Sequence, residues 1–246
     1  RVTDRESGLH RTIILSVREG QTRVLLQDDF HHFKIELIHD GERVKHISAE
    51  AVRYPYSLCP QAANMLGAMV GLPLTRRVFD ISASLDARQQ CTHQFDLAAL
   101  AIAATARRQS RRYDLFVTDP VHDLCSANLM RDDGFSLQWH IESDVIRAPE
   151  DFGGINVNHG FTAWAAKLTD ENMAEAALVL RRAHFVARGR ARLKELNEQV
   201  TAMPRSSCYV MQPHRALSAL RIVTQVREGI SPITVSAEDQ NWLSGD

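Results

Sequence analysis

The residues with the clearest chemical potential open the most apolar segment of the chain. The stretch QQCTHQFDLAALAIAATA, residues 89–106, carries Cys91, His93 and Asp96 within six positions. From Phe95 onward this segment is almost entirely apolar, and a helix that is apolar on every face is buried. An unpaired polar group at the mouth of a buried element is costly. These three side chains are therefore expected either to join a structural hydrogen-bond network or to line a pocket.

His93 is the candidate catalytic base of this group. Asp96 follows it by three positions, so on a helix its carboxylate could orient the imidazole and fix its tautomer. The positive pole of a helix start disfavours an imidazolium, which leaves a neutral ring able to accept a proton. The alternative is helix capping by Thr92 and Asp96, although capping leaves His93 unexplained.

A second candidate cluster is RYPY, which contains Arg53, Tyr54 and Tyr56. A guanidinium and two phenols could hydrogen-bond an oxygen-rich substrate with little need for a cofactor. Period-two counting along the preceding hairpin places Arg53 and His31 on its inward face, so His31 is a candidate substrate contact. The alternatives are a strand-terminating turn with its rings packed on the core and a core histidine.

Cys59 and Cys91 leave three interpretations open. With His93 and either Asp96 or His31 they could form a mixed zinc site, but the spacing is a weak signal and no metal is expected. A thiol at a helix N-terminus can have a lowered pKa and act as a nucleophile. The remaining interpretation treats both as small buried apolar residues, as free cysteines commonly are.

Aromatic residues of the segment NHGFTAW could supply a further wall of the substrate pocket. Phe161 and Trp164 lie at its loop-to-helix junction, and packing in the core is the alternative for both. His184 lies on the apolar stripe of the long helix that follows, where we expect it in the core.

Composition and absent motifs exclude several classes of function. The formal net charge of −1 gives no general attraction to nucleic acid or an anionic membrane. No phosphate loop, dinucleotide fingerprint, zinc-protease motif or hydrolase elbow occurs, so no cofactor is expected. No apolar run approaches the length of a membrane span, and the four scattered cysteines do not suggest a disulfide framework. We expect a cytoplasmic protein with reduced thiols.

Hydrophobic periodicity predicts strands, helices, strands and helices in turn. That order indicates an α+β fold in which antiparallel sheets pack around a buried central helix, with a C-terminal helical region. We expect one domain over residues 1–202 and an extension over residues 203–246 that wraps the body or a partner subunit, so a homodimer is possible. The predicted elements are strands over 11–53, a helix over 60–70, a connector over 75–90, a helix over 93–109, strands over 113–146, a helix over 170–199 and a helical segment over 216–229.

Three segments resemble a bacterial family catalogued as a domain of unknown function. They are RYPYSLCP, CTHQFDLAALA and AEAALVLRRAHFVARGRA, and the resemblance runs from about residue 9 to residue 192. Family members carry a PY..CP segment followed by CTHL..L. Where the family has an aliphatic residue after the histidine, this chain has Gln94, which could widen or polarise the mouth of a pocket.

The resemblance implies a role in small-molecule catabolism, because family members occur in bacteria that degrade aromatic compounds. It extends to phenylcoumaran γ-formaldehyde lyase, which acts on lignin-derived dimers. The expected function is therefore a cofactor-independent lyase that cleaves a carbon–carbon bond of a lignin-derived phenolic dimer and releases formaldehyde. The alternatives are thiol- or metal-dependent acyl transfer or hydrolysis at Cys59 and Cys91, and a non-enzymatic binding module for hydrophobic small molecules.

Overall fold

The strands of the protein form one antiparallel sheet. The structure is a computed structural model that describes residues 7–191, 198–203, 208–222 and 232–245. Within these residues the sheet has eight strands in the order β4-β3-β2-β1-β5-β6-β7-β8. The strands are β1 (Gly8–Arg18), β2 (Gln21–Gln27), β3 (His32–His39), β4 (Val44–Arg53), β5 (Arg111–Thr118), β6 (Leu124–Arg131), β7 (Ser136–Glu142) and β8 (Val145–Ala148).

Helices accompany the sheet, which confirms the predicted α+β class, although one sheet replaces the several expected. The chain divides into two compact units: residues 1–12, 112–196 and 228–233 (unit 1), and residues 13–111, 197–227 and 234–246 (unit 2). The boundary predicted at residue 202 stays a prediction. The α-helices are α1 (Val78–Ser84), α2 (Thr92–Arg107), α3 (Phe161–Ala165), α4 (Glu171–Ala191), α5 (Pro213–Ala216) and α6 (Ala237–Ser244).

In unit 2, helix α2 packs on the face of the sheet that alternation marks as inward. Phe33, Ile35 and Leu37 are fully buried on β3, as the period-two pattern predicts. Thr22 of β2 and Thr105 of α2 share a buried hydrogen bond of 2.6 Å between their hydroxyl oxygens. The predicted burial of this apolar helix is confirmed, because its residues from Leu97 to Thr105 are buried.

The opposite face of the same strands is covered by α6 near the C-terminus. Leu25, Val235 and Leu243 form a small apolar cluster there. Beside it the buried carboxylate of Asp239 accepts a hydrogen bond from Gln27 (2.7 Å) and lies 2.9 Å from the Lys34 ammonium. Burial acts to raise the pKa of Asp239, but the hydrogen bonds of Lys34 and other neighbours outweigh it and lower that pKa.

Two elements of unit 2 differ from the sequence prediction. The helix predicted over 60–70 is a 3-10 helix, Pro60–Met69, and the connector predicted over 75–90 contains α1. The predicted hairpin turn at Asp40-Gly41 is present, and Asp40 Oδ1 accepts the backbone N–H groups of Glu42 and Arg43 at 2.9 and 2.8 Å. Gly41 has a φ of +95°, a conformation that favours glycine.

In unit 1, α4 packs on strands β6 and β7. The last part of the region predicted as strands over 113–146 is divided into β7 and β8, because Ser143 and Asp144 form a tight turn with φ values of 48° and 67°. Asp170 caps α4, since its Oδ1 accepts the backbone N–H groups of Asn172 and Met173 at 2.8 and 3.2 Å.

The C-terminal predictions are met only in part by the described residues. The helix predicted over 170–199 is described as far as Ala191, and residues 192–197 lie outside the described residues. Of the helical segment predicted over 216–229, residues 223–229 also lie outside them, and α5 ends at Ala216. Among the described residues, no helix is both long enough and apolar enough to cross a membrane.

Candidate functional site

The sequence-predicted site residues His31 and His93 meet in unit 2 as a closely packed pair of tilted imidazoles. Their ring centroids lie 4.0 Å apart, with 32° between the ring planes. His31 follows strand β2 and shares the inward face with Phe33, whose ring centroid is 5.4 Å away. His93 lies in the first turn of α2. We refer to these two rings as the imidazole pair.

A buried carboxylate, which the sequence analysis did not single out, holds one ring of this pair. Asp28 is fully buried in the turn between β2 and β3, and its Oδ1 accepts the backbone N–H groups of Phe30 (2.8 Å) and His31 (2.7 Å). The same carboxylate lies 2.9 Å from Nδ1 of His31. The sequence signal that could have revealed it is an aspartate three positions before a histidine between two strands.

These contacts determine how the His31 ring can act. A carboxylate only accepts hydrogen bonds, so Nδ1 of His31 carries a proton and donates it to Asp28. Nε2 is then the nitrogen of the neutral ring that can accept a proton. His31 is 5% exposed, whereas His93 is half-buried, so His93 is the more accessible member of the imidazole pair.

Arg53 fastens the turn that carries His31. Its Nη2 donates to the backbone carbonyl of Asp28 and, at 3.2 Å, to that of His31. The residue is half-buried at the end of β4, where it pairs in register with His32. These two bonds place a permanent positive charge against the backbone of the turn that carries Asp28 and His31, while the predicted inward position of Arg53 stays a prediction.

Asp96 lies in the second turn of α2, too far from the start of the helix to cap it. Helix α2 begins at Thr92 with Cys91 as its N-cap, so Asp96 is the fifth helical residue, and the predicted capping role of Thr92 is wrong. Asp96 is half-buried. Its predicted role of orienting His93 stays a prediction, while the Asp28 carboxylate contacts the other ring of the imidazole pair, His31.

The two tyrosines of the RYPY segment follow β4. Tyr54 and Tyr56 are both half-buried. Tyr56 pairs in an isolated β-bridge with Arg221, whose guanidinium lies 5.5 Å from the centre of the phenol ring. Burial raises the pKa of Tyr56, although the Arg221 cation works in the opposite direction. This phenol is therefore protonated at neutral pH and available as a hydrogen-bond donor.

Cys59 and Cys91 are buried free thiols. Burial raises the pKa of Cys59 well above its usual value and that of Cys91 to about 12, so neither is a thiolate at neutral pH. Gln94 ties the two segments together, because its Nε2 donates to the Cys59 carbonyl at 3.1 Å. Gln94 is fully buried, and its Oε1 has no hydrogen-bond partner among the described residues.

Phe161 and Trp164 belong to an aromatic cluster of unit 1. The Phe161 ring lies 5.1 Å from that of Trp164 and 5.7 Å from that of Trp139, and Phe152 completes the group. Phe161 is buried and Trp164 is half-buried. These contacts are those of core packing, and the role of both residues as substrate contacts stays a prediction.

No group of three potential His, Cys, Asp or Glu ligands suited to a metal occurs within the part of the chain that the structure describes. Two cavities are described, one in each unit. The cavity of unit 1 lies beside Cys125 and His184, and an open groove in unit 2 lies beside Trp242. Neither is lined by the imidazole pair, so the chamber predicted around His93 and Arg53 stays a prediction.

Comparison with known families supports part of the resemblance predicted over about residues 9–192. Residues 14–109 match the family model described as "Protein of unknown function (DUF2889)". This matched segment includes the imidazole pair, Asp28 and Arg53, but not Phe161 or the residues that follow it. No curated protein and no solved structure matches the chain. The family description assigns no activity.

Proposed function

We propose that the protein is a cofactor-independent lyase whose acid–base centre is the imidazole pair. The substrate is a lignin-derived phenolic dimer, and the reaction releases formaldehyde. The observation that carries the proposal is the contact of the His31 and His93 rings, whose centroids lie 4.0 Å apart, with His31 held by a buried carboxylate. Chemistry of this kind needs only positioned proton acceptors and donors.

His93 is the proposed base because it is the more accessible ring of the pair. It accepts the proton of the primary alcohol of the substrate at a ring nitrogen. The positive charge that the pair then carries is compensated by the Asp28 carboxylate, 2.9 Å from the neighbouring ring. Two imidazolium ions at this separation would repel each other, so the pair gains one proton in the reaction.

The remaining electron movements break two bonds of the substrate. The deprotonated oxygen becomes the carbonyl oxygen of formaldehyde, as the bond between the alcohol carbon and the neighbouring carbon of the substrate breaks. The electron pair of that bond becomes the new alkene, and the ether carbon–oxygen bond opens to give a phenolate. His93 returns its proton to this oxygen, so the reaction is balanced without a cofactor or an external acid.

Arg53 and the two tyrosines are proposed to stabilise the oxygen that leaves when the ether bond breaks. The guanidinium stabilises developing negative charge on the phenolate, and Tyr54 or Tyr56 donates a hydrogen bond to it. The raised pKa of Tyr56 supports this role, because the phenol keeps its proton at neutral pH. His31, Cys59 and Cys91 are the proposed substrate contacts within unit 2.

The deciding experiment is incubation with a panel of lignin-derived dimers and related phenolics, followed by mass spectrometry and a formaldehyde assay. The proposal expects one alkene product and one formaldehyde for each substrate consumed. A matched substrate whose primary alcohol is methylated should not react, because it has no proton for the base. Conversion of the methylated substrate, or alkene formation without formaldehyde, would contradict the mechanism.

The alternatives make different predictions in the same experiment. A thiol enzyme would lose turnover after alkylation of Cys59 or Cys91, and a metal enzyme would lose it after chelation. A binding module would retain a dimer without converting it. The raised pKa of both thiols opposes the thiol alternative.

A further inference from the structure

A second group of reactive side chains lies in unit 1, where sequence reasoning places only a core histidine. Sγ of Cys125, on β6, is 3.5 Å from Nδ1 of His184 on α4. Nε2 of the same imidazole lies 3.8 Å from Oδ1 of Asp144, in the turn between β7 and β8. A thiol, an imidazole and a carboxylate therefore follow one another in line, as in nucleophilic enzymes.

The carboxylate determines which nitrogen of His184 can take a proton. Nε2 is buried and makes no hydrogen bond to any described residue. A proton on Nε2 faces the Asp144 carboxylate, whereas a lone pair there would be repelled by it. The favoured tautomer is consequently Nε2–H, which leaves Nδ1 as the acceptor for the Cys125 thiol.

The surrounding charges keep this group neutral at rest. Arg188 forms an ion pair with Asp144, and Arg181 lies on the same helix. Burial and the Arg188 cation lower the pKa of His184 to about 4, although Asp144 opposes them. Burial raises the pKa of Cys125 to about 11. At neutral pH the cysteine is a thiol and the imidazole can accept its proton.

The cysteine opens onto a cavity of about 280 Å³. Its walls combine apolar side chains with hydroxyl and charged groups, and one side is formed by α4. A volume of this order holds a small molecule. Val117, Thr118, Cys125, Ile141, Asp144 and His184 are among the residues that line this cavity.

We propose that this cavity is a second reactive site, in which Cys125 adds reversibly to small uncharged aldehydes with His184 as the proton acceptor. The sulfur forms a bond to the carbonyl carbon while the thiol proton passes to Nδ1 of His184. The carbonyl π pair becomes an oxygen lone pair, and Nδ1 returns the proton to that oxygen. The product is a hemithioacetal, and no leaving group or further reactant is needed.

The geometry favours this addition over acyl transfer. An acyl-transfer enzyme stabilises the oxyanion with backbone N–H groups near the nucleophile. The N–H of Ser126, the residue after Cys125, is already bonded to the Thr118 hydroxyl at 2.9 Å. An aldehyde does not need such a donor to the same degree, because the proton held by His184 neutralises its oxygen.

The pH dependence of thiol alkylation tests the proton transfer directly. Because its pKa is raised to about 11, Cys125 is almost entirely un-ionised at pH 7. The alkylation rate of an unassisted thiol falls tenfold for each unit by which the pH drops below its pKa. We expect iodoacetamide to alkylate Cys125 at a rate that changes less than threefold from pH 5.5 to 7.5, measured by peptide mass spectrometry. A tenfold fall per unit in the wild-type protein would overturn the proposal.

Two variants and an internal control strengthen this test. H184Q should reduce Cys125 alkylation at pH 6 by about 10²-fold or more and restore the tenfold fall per unit. D144N should reduce it less, because Asp144 acts through the imidazole. Cys91 in the same samples provides a buried thiol with a similarly raised pKa. Equal pH profiles for Cys91 and Cys125 would contradict assistance by His184.

Acetaldehyde tests the ligand class without reference to the proposed lyase reaction. Preincubation should protect Cys125 from iodoacetamide, and the protection should disappear after dialysis because the adduct is reversible. Acetate, which has similar size and a negative charge, should not protect. Absence of protection by acetaldehyde, or equal protection by acetate, would refute the aldehyde assignment whatever the outcome of the dimer panel.

Discussion

Each unit places an imidazole and a carboxylate against the sheet, but the two units differ in which of these groups stays accessible. In unit 2, His31 and the Asp28 carboxylate that holds it are both buried, and the accessible ring is that of His93, in the first turn of α2. In unit 1, His184 occupies the middle of α4 and is 3% exposed, while Asp144 is half-buried in the turn between β7 and β8. Unit 2 therefore leaves a second imidazole accessible while its carboxylate stays buried, whereas unit 1 leaves its carboxylate partly accessible while its imidazole stays buried.

This difference separates the chemistry that the two sites can support. The imidazole pair has a hydrogen-bonded carboxylate at 2.9 Å, which compensates a gained proton. His184 has its carboxylate at 3.8 Å, and that carboxylate is already paired with Arg188. Unit 2 is suited to holding a proton through a reaction, whereas unit 1 is suited to a brief transfer between neutral groups.

The largest effect is expected from removal of the base in unit 2. H93A should reduce turnover of the phenolic dimer by ~10²–10⁴-fold, since a positioned base contributes a factor of this size. H46A, which removes an exposed imidazole from β4 of the same unit, is the matched control and should retain turnover. Steady-state formaldehyde release gives the measurement, and unchanged turnover in H93A would remove His93 from the mechanism.

Replacement of the buried carboxylate is expected to affect folding as well. D28A should lower the free energy of unfolding by about 3–5 kcal/mol, because it leaves two backbone N–H groups and a buried imidazole without their acceptor. Urea denaturation provides the measurement. D40A removes a carboxylate that caps an exposed turn in the same way and should have a smaller effect. Equal losses would show that burial of Asp28 has no energetic consequence.

The buried imidazole of unit 1 should make stability sensitive to acid. Its pKa is lowered from 6.5 to about 4, so the unfolded chain binds a proton between these values that the folded protein does not. Stability is thus retained above pH 6.5 and falls by about 3 kcal/mol as the pH drops to 4. The difference in unfolding free energy between the wild type and H184Q should change over this window. A constant difference would contradict the lowered pKa.

The smallest effect is expected at the buried thiols of unit 2. C59A and C91A should each change dimer turnover by less than about threefold, because burial keeps both thiols protonated and unsuited to nucleophilic attack. Formaldehyde release from the two variants provides the measurement. A loss of about 10²-fold or more in either variant would favour the thiol alternative over the imidazole pair.

The local sequence pattern was sufficient to predict that most helices and strands exist, but not to predict the type of each helix or where each element ends. The 3-10 helix Pro60–Met69 was expected as an ordinary helix, because a proline in the first turn suits both. Helix α1 was missed since its seven residues are too short for a clear periodic signal. The division of β7 from β8 depends on left-handed backbone at Ser143 and Asp144, which residues other than glycine seldom adopt.

Only those features of the candidate sites that depend on alternation along a single strand could be predicted from the sequence. Period-two alternation places His31 on the inward face of the hairpin, and its burial next to Phe33 agrees with this. The contact between the His31 and His93 rings could not be predicted, because it depends on how α2 packs on the sheet. Asp28 was missed because an aspartate in a turn is common and its burial cannot be inferred locally.

The sequence alone determined the strands of the first hairpins, the burial of α2 and the α+β class, because these follow from side-chain periodicity within a few residues. Only the tertiary structure decided which polar groups meet. Cys125 and His184 are 59 positions apart, and their 3.5 Å contact depends on how α4 lies across β6. Hydrophobic periodicity specifies which face of an element is buried, but not which residue of another element will lie opposite it.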